Sequence, residues 1–579
     1  MILQALNDYY QRKMADPDPA RRLPPFGFES KEIPFILELS PHGTLVSITD
    51  TRVHDGKKLR AAVFLVPHSV KRAINISANL LWDTAEYAIG LSNRDKPDRL
   101  VRQHEAFRQR IASLPPAARD DEGVRAVLRF LGSAPGAAVA ADRCGPEILA
   151  ANPLVAFRMS GAADLICQRP AVADSPSGIE PVAEDPDAGS RTCLITGEQA
   201  IIERLHASIK GVWNAQSSGA NIVSFNLDAF DSYGKKQGAN APVSERAAFC
   251  YTTALNHMLR SGSRQRTQVG DASTVFWAQR ADGEDMEDIF AEVFGASDDP
   301  DSRADQVRAL FESVRTGRFD GARGRERFFV LGLAPNAARI AVRFWHAAPL
   351  AEVAARIRAW FDDIAVVRGV ADPEYPSLFR LLTAIAVLGK ADNIPPNLGG
   401  EIMRSILTGA AYPATWLGAA VRRARAERNV TYYRAAAIKA CLNRATHRRQ
   451  GGGKEFQPML DEVNPNSAYR LGRLFAVLER IQEKANPGIN ATIRDRYFGA
   501  ASTSPVTVFT ALLRLKNAHV KKLSAGEVVY FEKKIGEILD GVADFPRQLG
   551  LADQGRFDLG YYQQRQDFFR PKSTSQVEE

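Results

Sequence analysis

The sequence predicts an α+β fold, with a large mixed α/β N-terminal region over residues 1–350 followed by an all-α C-terminal helical bundle. Strand-like runs occur only before about residue 350, and helix-like patterns follow one another after it. The composition, 45% hydrophobic and 25% charged, is that of a globular protein with ample apolar material for a core. The 579 residues are enough for about three or four domains.

Short apolar runs bounded by turn residues mark the strands of the N-terminal region. The predicted strands are Ile33–Leu39, Leu45–Ile48, Val63–Val66, Val155–Met159, Ile222–Phe225, Thr274–Trp277, Arg327–Leu333 and Arg339–His346. The last two strands are joined by Ala334–Ala338, whose Pro and Asn suit a hairpin turn. We expect residues 171–190, rich in Pro, Ser, Asp and Gly, to form a flexible loop. The acidic stretch 282–305 is expected to be an insertion that contains a short helix.

Apolar residues at helical spacing predict the C-terminal helices. The predicted helices are Leu378–Leu388, Gly400–Thr408, Ala414–Arg449, Ser467–Ala485, Thr507–Leu523 and Gly526–Leu539. In Ser467–Ala485, Leu471, Leu474 and Leu478 belong to one apolar stripe, as expected in a bundle. A Gly-rich linker at 451–458 separates a basic helical region, 351–450, from the bundle at 459–579.

The positive charge of the chain is concentrated in one region. The formal net charge is +8 with a pI of about 9.1, and residues 401–450 alone carry ten Arg or Lys against two Glu. A charge run usually marks a solvated surface, but here acidic counterparts are nearly missing. Contact with a nucleic-acid backbone is therefore favoured. The basic residues of these helices are Arg422, Arg423, Arg425, Arg428, Arg434, Lys439, Arg444, Arg448 and Arg449. Tyr432 and Tyr433 can stack on bases, but such residues are more often core or boundary residues.

The segment Arg204–Leu259 contains a long non-helical run dense in Ser, Asn, Gln, Gly and Lys, followed by a helix. A hydrophobic core has no use for so many small amide and hydroxyl side chains. Amides can read base edges, while hydroxyls, lysines and backbone N–H groups can hold phosphates. His206 is the one histidine in the polar run. A structural role and a hydrogen bond to a partner are equally good interpretations of it.

Catalytic and cofactor motifs are missing from the sequence. Five scattered cysteines form no CxxC pair, which argues against a disulfide framework or a Cys-rich zinc site. The run Gly451–Lys454 fails the spacing of a phosphate-binding loop, and neither GxSxG nor HExxH occurs. We therefore expect no enzymatic activity, no metal and no cofactor. The N-terminus has no apolar signal-peptide core and no run is long enough to span a membrane, so a cytoplasmic protein is the simplest interpretation.

Several motifs together resemble one known family over essentially the whole chain. They are Ile209–Val212, Ala215–Ala220, Val223–Asn226, Ser232–Lys235, Asn240–Ser244, Met1–Leu6, Gly56–Arg60, Asn79–Asp83 and Ala468–Glu479. On these motifs the chain resembles the large subunit of the type I-C CRISPR surveillance complex, or Cascade. Lys236 stands where an acidic residue is expected, which makes its loop more basic.

The resemblance implies a non-catalytic subunit at the end of a guide-RNA–protein filament. Such a subunit binds the short protospacer-adjacent motif in double-stranded target DNA, helps open the duplex and recruits the helicase-nuclease. Its partners would be the backbone subunits, the subunit capping the 5′ handle of the guide RNA and a small helical subunit. A purely architectural subunit, or a nuclease with a cryptic site, are the alternatives.

The resemblance turns polar residues into candidate DNA contacts. Asn79 either reads a base edge or caps its own turn, and the resemblance favours reading. Gln216, Ser217 and Ser218 contact either DNA or a neighbouring subunit. The remaining candidates are Lys57, Lys58, Lys71, Arg72, Lys210, Asn226, Lys235, Lys236, Arg422, Arg425 and Arg448.

In this family the small subunit can arise by translation from inside the large-subunit gene. Lys454-Glu455 permits the codons AAGGAG, a ribosome-binding sequence, and Met459 follows at a suitable distance. We therefore consider a separate product, Met459–Glu579, that copies the bundle, against chance occurrence of a common Lys-Glu pair.

Overall fold

The computed structural model describes residues 1–56, 58–70, 76–93, 96–174, 190–280, 284–294, 324–450 and 453–570. The chain divides into two compact units. The first, here the sheet unit, comprises Lys13–Glu203 and Pro242–Thr253. The second, here the helical unit, comprises Met1–Arg12, Arg204–Ala241 and Ala254–Glu579. Helix α1 (Ile2–Met14) opens the chain.

The sheet unit is built on a four-stranded sheet of order β3-β2-β8-β7. The strands of the whole sheet unit are β1 (Phe28–Glu32), β2 (Phe35–Leu39), β3 (Leu45–Asp50), β4 (Val53–Asp55), β5 (Lys58–Arg60), β6 (Val63–Pro67), β7 (Trp82–Thr84), β8 (Leu154–Met159), β9 (Arg191–Thr192) and β10 (Gln199–Ala200). Strands β2 and β8 are parallel, and β1 pairs with β6 outside this sheet. Strand β2 is central, so its side chains are buried almost throughout.

Helices of this unit share one hydrophobic core with this sheet. They are α2 (Ala85–Ala88), α3 (Pro97–Ala112), α4 (Pro116–Arg119), α5 (Glu122–Leu131), α6 (Pro135–Ala140), α7 (Gly145–Ala151) and α8 (Pro170–Ala173). In α5 the buried face includes Val127 and Phe130, and the Phe130 ring lies edge-on to Phe157 of β8. The side chain of Asp121 accepts hydrogen bonds from the first N–H groups of α5, which fixes where that helix begins. Helix α9 (Glu245–Leu259) follows the polar segment.

The helical unit combines an antiparallel sheet with the C-terminal helices. Strands β11 (Arg266–Val269), β12 (Ala272–Ala278), β13 (Arg327–Asn336) and β14 (Arg339–Pro349) pair in chain order. The helices are α10 (Glu284–Phe294), α11 (Leu350–Ile364), α12 (Leu378–Thr383), α13 (Leu398–Thr408), α14 (Ala414–Glu427), α15 (Tyr432–Gln450), α16 (Ser467–Ala485), α17 (Ile493–Ala501), α18 (Phe509–Val520), α19 (Ala525–Leu539) and α20 (Leu551–Asp567). One continuous hydrophobic core runs from Val269 in the sheet to Tyr562 in α20.

The predicted α+β class is confirmed, and most predicted elements exist with shifted ends. The run Ile222–Phe225 is an exception: it lies outside the strands of the described chain. Only the neighbouring Asn221 forms a bridge, with Arg339. A strand needs an aligned partner, and local β propensity does not supply one.

The predicted helix Ala414–Arg449 is two helices. Arg428 has a left-handed φ of 53°, and the chain resumes as α15 at Tyr432. The predicted helix Leu378–Leu388 is also too long, since α12 ends at Thr383 and Leu388 has a φ of 59°. A residue in the left-handed conformation interrupts helical hydrogen bonding. The side chains of Arg428 and Leu388 do not predict this conformation.

The two predicted irregular segments are described only in part. Of the loop 171–190, residues 175–189 lie outside the described chain. Of the acidic stretch, α10 is the described part, and the short helix predicted there is present. Met286, Phe290 and Val293 of α10 are buried in the core of the helical unit, so this helix is integral to the fold.

Candidate nucleic-acid interface

The polar segment is fastened to the helical unit at its base. Ile209 and Ala220 exchange backbone hydrogen bonds of 2.8 and 2.9 Å, which closes a loop over residues 210–219. The side-chain Nδ2 of Asn221 donates to the carbonyl oxygen of His206 at 2.9 Å. His206 itself is buried. This loop, here called the amide loop, therefore starts and ends at a hydrogen-bonded pair of residues, Ile209 and Ala220.

Two glycines permit the close packing of the amide loop. Gly211 has a φ of +83°, and a Cβ there would lie 2.5 Å from the carbonyl oxygen of Leu259. Gly219 has a φ of +92°, and a Cβ there would lie 2.8 Å from the carbonyl oxygen of Ile209. A side chain at either position would collide with the backbone, so both ends of the amide loop require glycine.

The tip of the amide loop is exposed. Gln216, Ser217 and Ser218 all present their side chains to solvent, above a turn in which Gly219 N–H donates to the Gln216 carbonyl at 2.9 Å. Lys210 is exposed as well, while its backbone N–H donates to Oδ1 of Asn256 at 2.7 Å. A fixed backbone that displays an amide, two hydroxyls and an ammonium group suits hydrogen bonding to a polar ligand.

A second stretch, Asn226–Asn240, is exposed at 226–229 and 232–236 and is held by Arg339 and Ile340 at the start of β14. Arg339 donates to Oδ1 of Asn226 at 2.5 Å, and its guanidinium lies 4.2 Å from the centre of the Phe230 ring. Ile340 N–H donates to the Asn221 carbonyl at 3.0 Å. Asn226 is exposed, but part of its amide is thereby occupied. Arg339 is the positioning residue here, and its place in an alternating strand pattern gave no signal of that role.

The end of this stretch is a short hairpin, Ser232–Lys235, here called the tyrosine hairpin after its central residue Tyr233. Lys235 N–H donates to the Ser232 carbonyl at 3.0 Å. The side chain of Asn240 accepts from Ser232 N–H at 2.9 Å and donates to the Lys235 carbonyl at 3.0 Å. Lys235 and Lys236 are both exposed. The two lysines can therefore contact a phosphate backbone, on a hairpin whose conformation is held by Asn240.

Asn79 lies in the sheet unit and is only 5% exposed. Its Oδ1 accepts a hydrogen bond from Val70 N–H at 3.0 Å, and its own N–H donates to Asp83 Oδ2 at 2.8 Å. This geometry favours the turn-holding interpretation of Asn79. Lys57, Lys71 and Arg72 lie outside the described residues, as does the side chain of Lys58 in β5.

The structure separates the basic helices into buried and exposed charges. Arg434, Lys439 and Arg444 are buried, contrary to their assignment to a charged surface. Arg444 pairs with Asp363 and donates to the Tyr412 hydroxyl at 2.7 Å. Arg434 pairs with Glu427 and donates to the Ala384 carbonyl at 2.9 Å. Arg434 and Arg444 therefore have their partners inside the protein and are not free to bind phosphates.

Lys439 caps the end of a neighbouring helix. Its Nζ donates to the carbonyl oxygens of Asp362 and Asp363 at 3.3 and 3.0 Å, at the carboxyl end of α11. Burial disfavours the ammonium form and lowers the pKa of Lys439 to about 8. The positive charge of Lys454 lowers the pKa further, and the carboxylates of Asp363 and Asp362 offset only part of these two effects.

Arg422 and Arg425 remain exposed on α14. Arg423 pairs with Glu427, one turn further along this helix. Tyr432 is buried, and its hydroxyl donates to the Pro373 carbonyl at 2.9 Å, so it is a core residue. The side chain of Arg448 lies outside the described residues. The exposed basic surface of these helices is thus smaller than the charge count indicated.

Among the residues that the structure describes, no group of three or more His, Cys, Asp or Glu is arranged to hold a metal ion. Across the same residues, no helix is both long enough and apolar enough to cross a membrane.

The fold and the exposed loops define a mixed α+β protein that displays polar and basic loops on a packed core. The model of the family described as CRISPR-associated protein (Cas_Csd1) matches residues 6–569. The chain therefore belongs to this CRISPR-associated family. No curated protein sequence matches the chain.

Proposed function

We propose that this protein is the large, non-catalytic subunit of a type I-C CRISPR RNA-guided complex. In this proposal it binds the short motif beside the target in double-stranded DNA, aids opening of the duplex and recruits the helicase-nuclease. Membership of the CRISPR-associated family and the resemblance of the motifs to the large subunit support this assignment. Its partners are then target DNA, the guide RNA, the backbone and 5′-handle-capping subunits, and the small helical subunit.

The amide loop is the observation that carries the DNA-binding part of the proposal. Its exposed Gln216, Ser217 and Ser218 lie on a loop whose two ends have room only for glycine, at Gly211 and Gly219. Hydrogen-bonding side chains on a rigid support are the means by which proteins read base edges and hold phosphates. The exposed Lys210, Lys235 and Lys236 supply sequence-independent attraction to the phosphate backbone.

A gel shift with the assembled complex tests the proposal. Target duplexes with the same guide-complementary sequence carry either the correct or a scrambled flanking motif, the correct one being selected first from a randomised pool. We expect the correct motif to be bound tighter by at least about tenfold, a difference of about 1.4 kcal/mol. Equal binding of both duplexes would leave the protein as a purely architectural subunit.

The triple variant Gln216→Ala/Ser217→Ala/Ser218→Ala assigns the amide loop within this test. If the loop contacts DNA, the variant complex assembles fully but binds the motif duplex more weakly. If the loop docks a neighbouring subunit, the variant loses that subunit or the guide RNA during purification. Lys390→Ala, which removes an exposed charge outside the candidate set, is the control. Metal-dependent cleavage of DNA by the isolated protein would instead support the nuclease alternative.

A further inference from the structure

Tyr233 is 99% exposed at the tip of the tyrosine hairpin. Other surface aromatic residues are far more covered, with Phe569 at 58% and Trp213 at 42%. Burying an aromatic ring removes a large apolar area from water, so a folded chain usually covers part of it. The hairpin leaves this ring wholly in solvent, and Tyr233 therefore contributes nothing to packing in the free protein.

The backbone at Tyr233 is unfavourable for a tyrosine. Its φ is 54°, and that of Gly234 is 71°, the pattern of a two-residue hairpin turn with both central residues left-handed. Asn and Gly adopt this conformation readily, whereas a bulky side chain does so at a cost. Gln237, four residues on, also has a positive φ, of 47°. Strain of this kind persists where the surroundings enforce it, and it is concentrated at functional sites.

The hairpin is braced from one side by Asn240. Its Oδ1 accepts from Ser232 N–H, and its Nδ2 donates to the carbonyls of Lys235 and Gln237 at 3.0 and 3.1 Å. Gly238 N–H donates to the Arg204 carbonyl at 3.1 Å, which ties the same stretch to the start of the polar segment. A strained turn that displays an exposed ring is thus held in shape without help from the ring.

The neighbours of Tyr233 indicate what the ring meets. Ser232 and Gly234 flank it, and two exposed lysines, Lys235 and Lys236, follow at once. A protein-docking anchor needs further apolar residues around it, and the tip of this hairpin consists of small polar and basic residues. An aromatic ring beside lysines is the arrangement that binds unpaired nucleotides, because the ring stacks on a base while the ammonium groups attract the phosphates.

We propose that Tyr233 stacks on an unpaired nucleobase and that the tyrosine hairpin is built to present it. This inference rests on the proposed function, since it names a contact within the nucleic-acid complex. The base belongs either to the guide RNA or to target DNA that has been opened, and the chemistry of the contact is the same for both.

The test uses the full chain assembled with its guide RNA and partner subunits, carrying Tyr233→Asn or Tyr233→Phe. Asparagine tolerates the left-handed turn and removes the ring, while phenylalanine keeps the ring and removes the hydroxyl. The target duplex carries 2-aminopurine at single positions beside the flanking motif, because stacking quenches its fluorescence. Retained guide RNA and bound subunits are measured in parallel.

We expect Tyr233→Asn to reduce the affinity of the contacted nucleic acid by about tenfold and Tyr233→Phe to match the wild type. The melting temperature of the isolated Tyr233→Asn chain should equal or exceed that of the wild type, because the substitution relieves strain. A contact with target DNA appears as loss of quenching at one 2-aminopurine position with guide RNA fully retained. A contact with the guide appears as loss of guide RNA from the complex.

Three results would overturn the inference. They are unchanged binding of both nucleic acids by Tyr233→Asn, an equal loss with Tyr233→Phe, and loss of a protein subunit with RNA and DNA binding intact. If the wild-type complex does not distinguish flanking motifs, the proposed motif recognition fails. The 2-aminopurine signal and the retention of guide RNA in the two variants still decide the role of Tyr233 in that case.

Discussion

Among single residues, Lys210 combines an exposed ammonium group with a backbone that Asn256 holds in place. If it contacts a phosphate, Lys210→Ala weakens binding of every duplex alike, because the phosphate backbone carries no sequence information. We expect the slope of log affinity against log salt concentration to fall in magnitude by about 1. The measurement is a salt titration of DNA binding by the assembled complex. Lys390→Ala should leave the slope unchanged, and a loss restricted to one flanking motif would contradict the phosphate role.

Substitution of Asn79 tests whether this residue reads a base of the flanking motif. If its amide reads a base, Asn79→Ala reduces the ratio of matched to mismatched motif binding. The substitution also removes the acceptor of Val70 N–H, which should lower the free energy of unfolding by about 1 kcal/mol. Binding to matched and mismatched duplexes and thermal unfolding are measured on the same variant. Equal loss for both duplexes, together with lower stability, would leave Asn79 as a residue that holds its own turn.

The amide loop shows what sequence reasoning reaches at the residue scale. Exposure of Gln216, Ser217 and Ser218 was predictable, because such side chains have no place in an apolar core. Burial of Arg434, Lys439 and Arg444 was not. Lys439 and Arg444 find their partner Asp363 in α11, outside residues 401–450, and a local charge count contains no trace of it. Arg434 pairs with Glu427 across the turn at Arg428, and the charge count does not show that Arg434 is buried.

Among the helices, α16 and α20 approach each other closely at one glycine of each, Gly472 and Gly560. A Cβ at Gly472 would lie 2.0 Å from the Phe557 carbonyl oxygen, and one at Gly560 would lie 2.1 Å from the Tyr469 carbonyl oxygen. We expect Gly472→Ala and Gly560→Ala each to lower the free energy of unfolding by about 3 kcal/mol or more, because the helices must separate. Denaturant unfolding measures this difference.

Gly536 in α19 is the matched control for these substitutions. A Cβ there meets no atom within 4 Å. Gly536→Ala should therefore raise the free energy of unfolding by up to about 1 kcal/mol through helix propensity alone. Similar effects at all three glycines would contradict the close crossing of α16 and α20.

The contact between α15 and α11 predicts a pH dependence. The folded-state pKa of Lys439, about 8, lies below its ordinary value of 10.5. The unfolded chain therefore binds more protons between these values, so this residue makes the protein more stable as pH rises from about 8 to 10.5. Below pH 8 its full destabilising effect is present.

The variant Lys439→Met separates the contribution of Lys439 to the free energy of unfolding from that of tyrosines and cysteines, which titrate in the same pH range. The free energy of unfolding of the variant minus that of the wild type should decrease by about 3 kcal/mol between pH 7 and pH 10.5. Lys390→Met, at an exposed lysine, controls for the substitution itself. A difference independent of pH would show that Lys439 is not buried as an ammonium group.

For the whole molecule, the helices after Met459 share their core with those before it. A Cβ at Gly555 in α20 would lie 3.2 Å from both Ile438 and Leu417, and Tyr562 donates to the Val367 carbonyl at 2.8 Å. The preceding segment is also tied down, since Phe456 exchanges hydrogen bonds of 2.8 and 2.9 Å with the Asn443 side chain. A Met459–Glu579 product would expose the surface that α14 and α15 cover.

We predict that such a product is nevertheless made and binds within the complex. Silent recoding of Lys454-Glu455, which removes the ribosome-binding sequence, should abolish a small co-purifying band while the full chain is made normally. Recoding of a neighbouring codon pair is the control. A small band that persists unchanged would show that the Lys-Glu pair occurs there by chance.

Local sequence patterns alone predicted the fold class, the central strands of both four-stranded sheets, several C-terminal helices including α16, and the exposed tip of the amide loop. These follow from local periodicity and side-chain polarity, as in α16, whose predicted bounds Ser467–Ala485 are those observed. Helix α20 was not predicted. Its Gly560 lies where α16 passes too close for any side chain.

Which of the predicted contact residues are available to a ligand depends on how the distant parts of the chain pack together. In the folded protein Asn79 and three cations of the basic helices are buried, whereas Tyr233 is exposed to solvent at the tip of a hydrogen-bonded turn. Availability depends on partners from other elements, such as the Asp363 carbonyl of α11, which lies 76 residues before Lys439 in the chain. Local patterns report what a side chain prefers, whereas packing determines which preference is met.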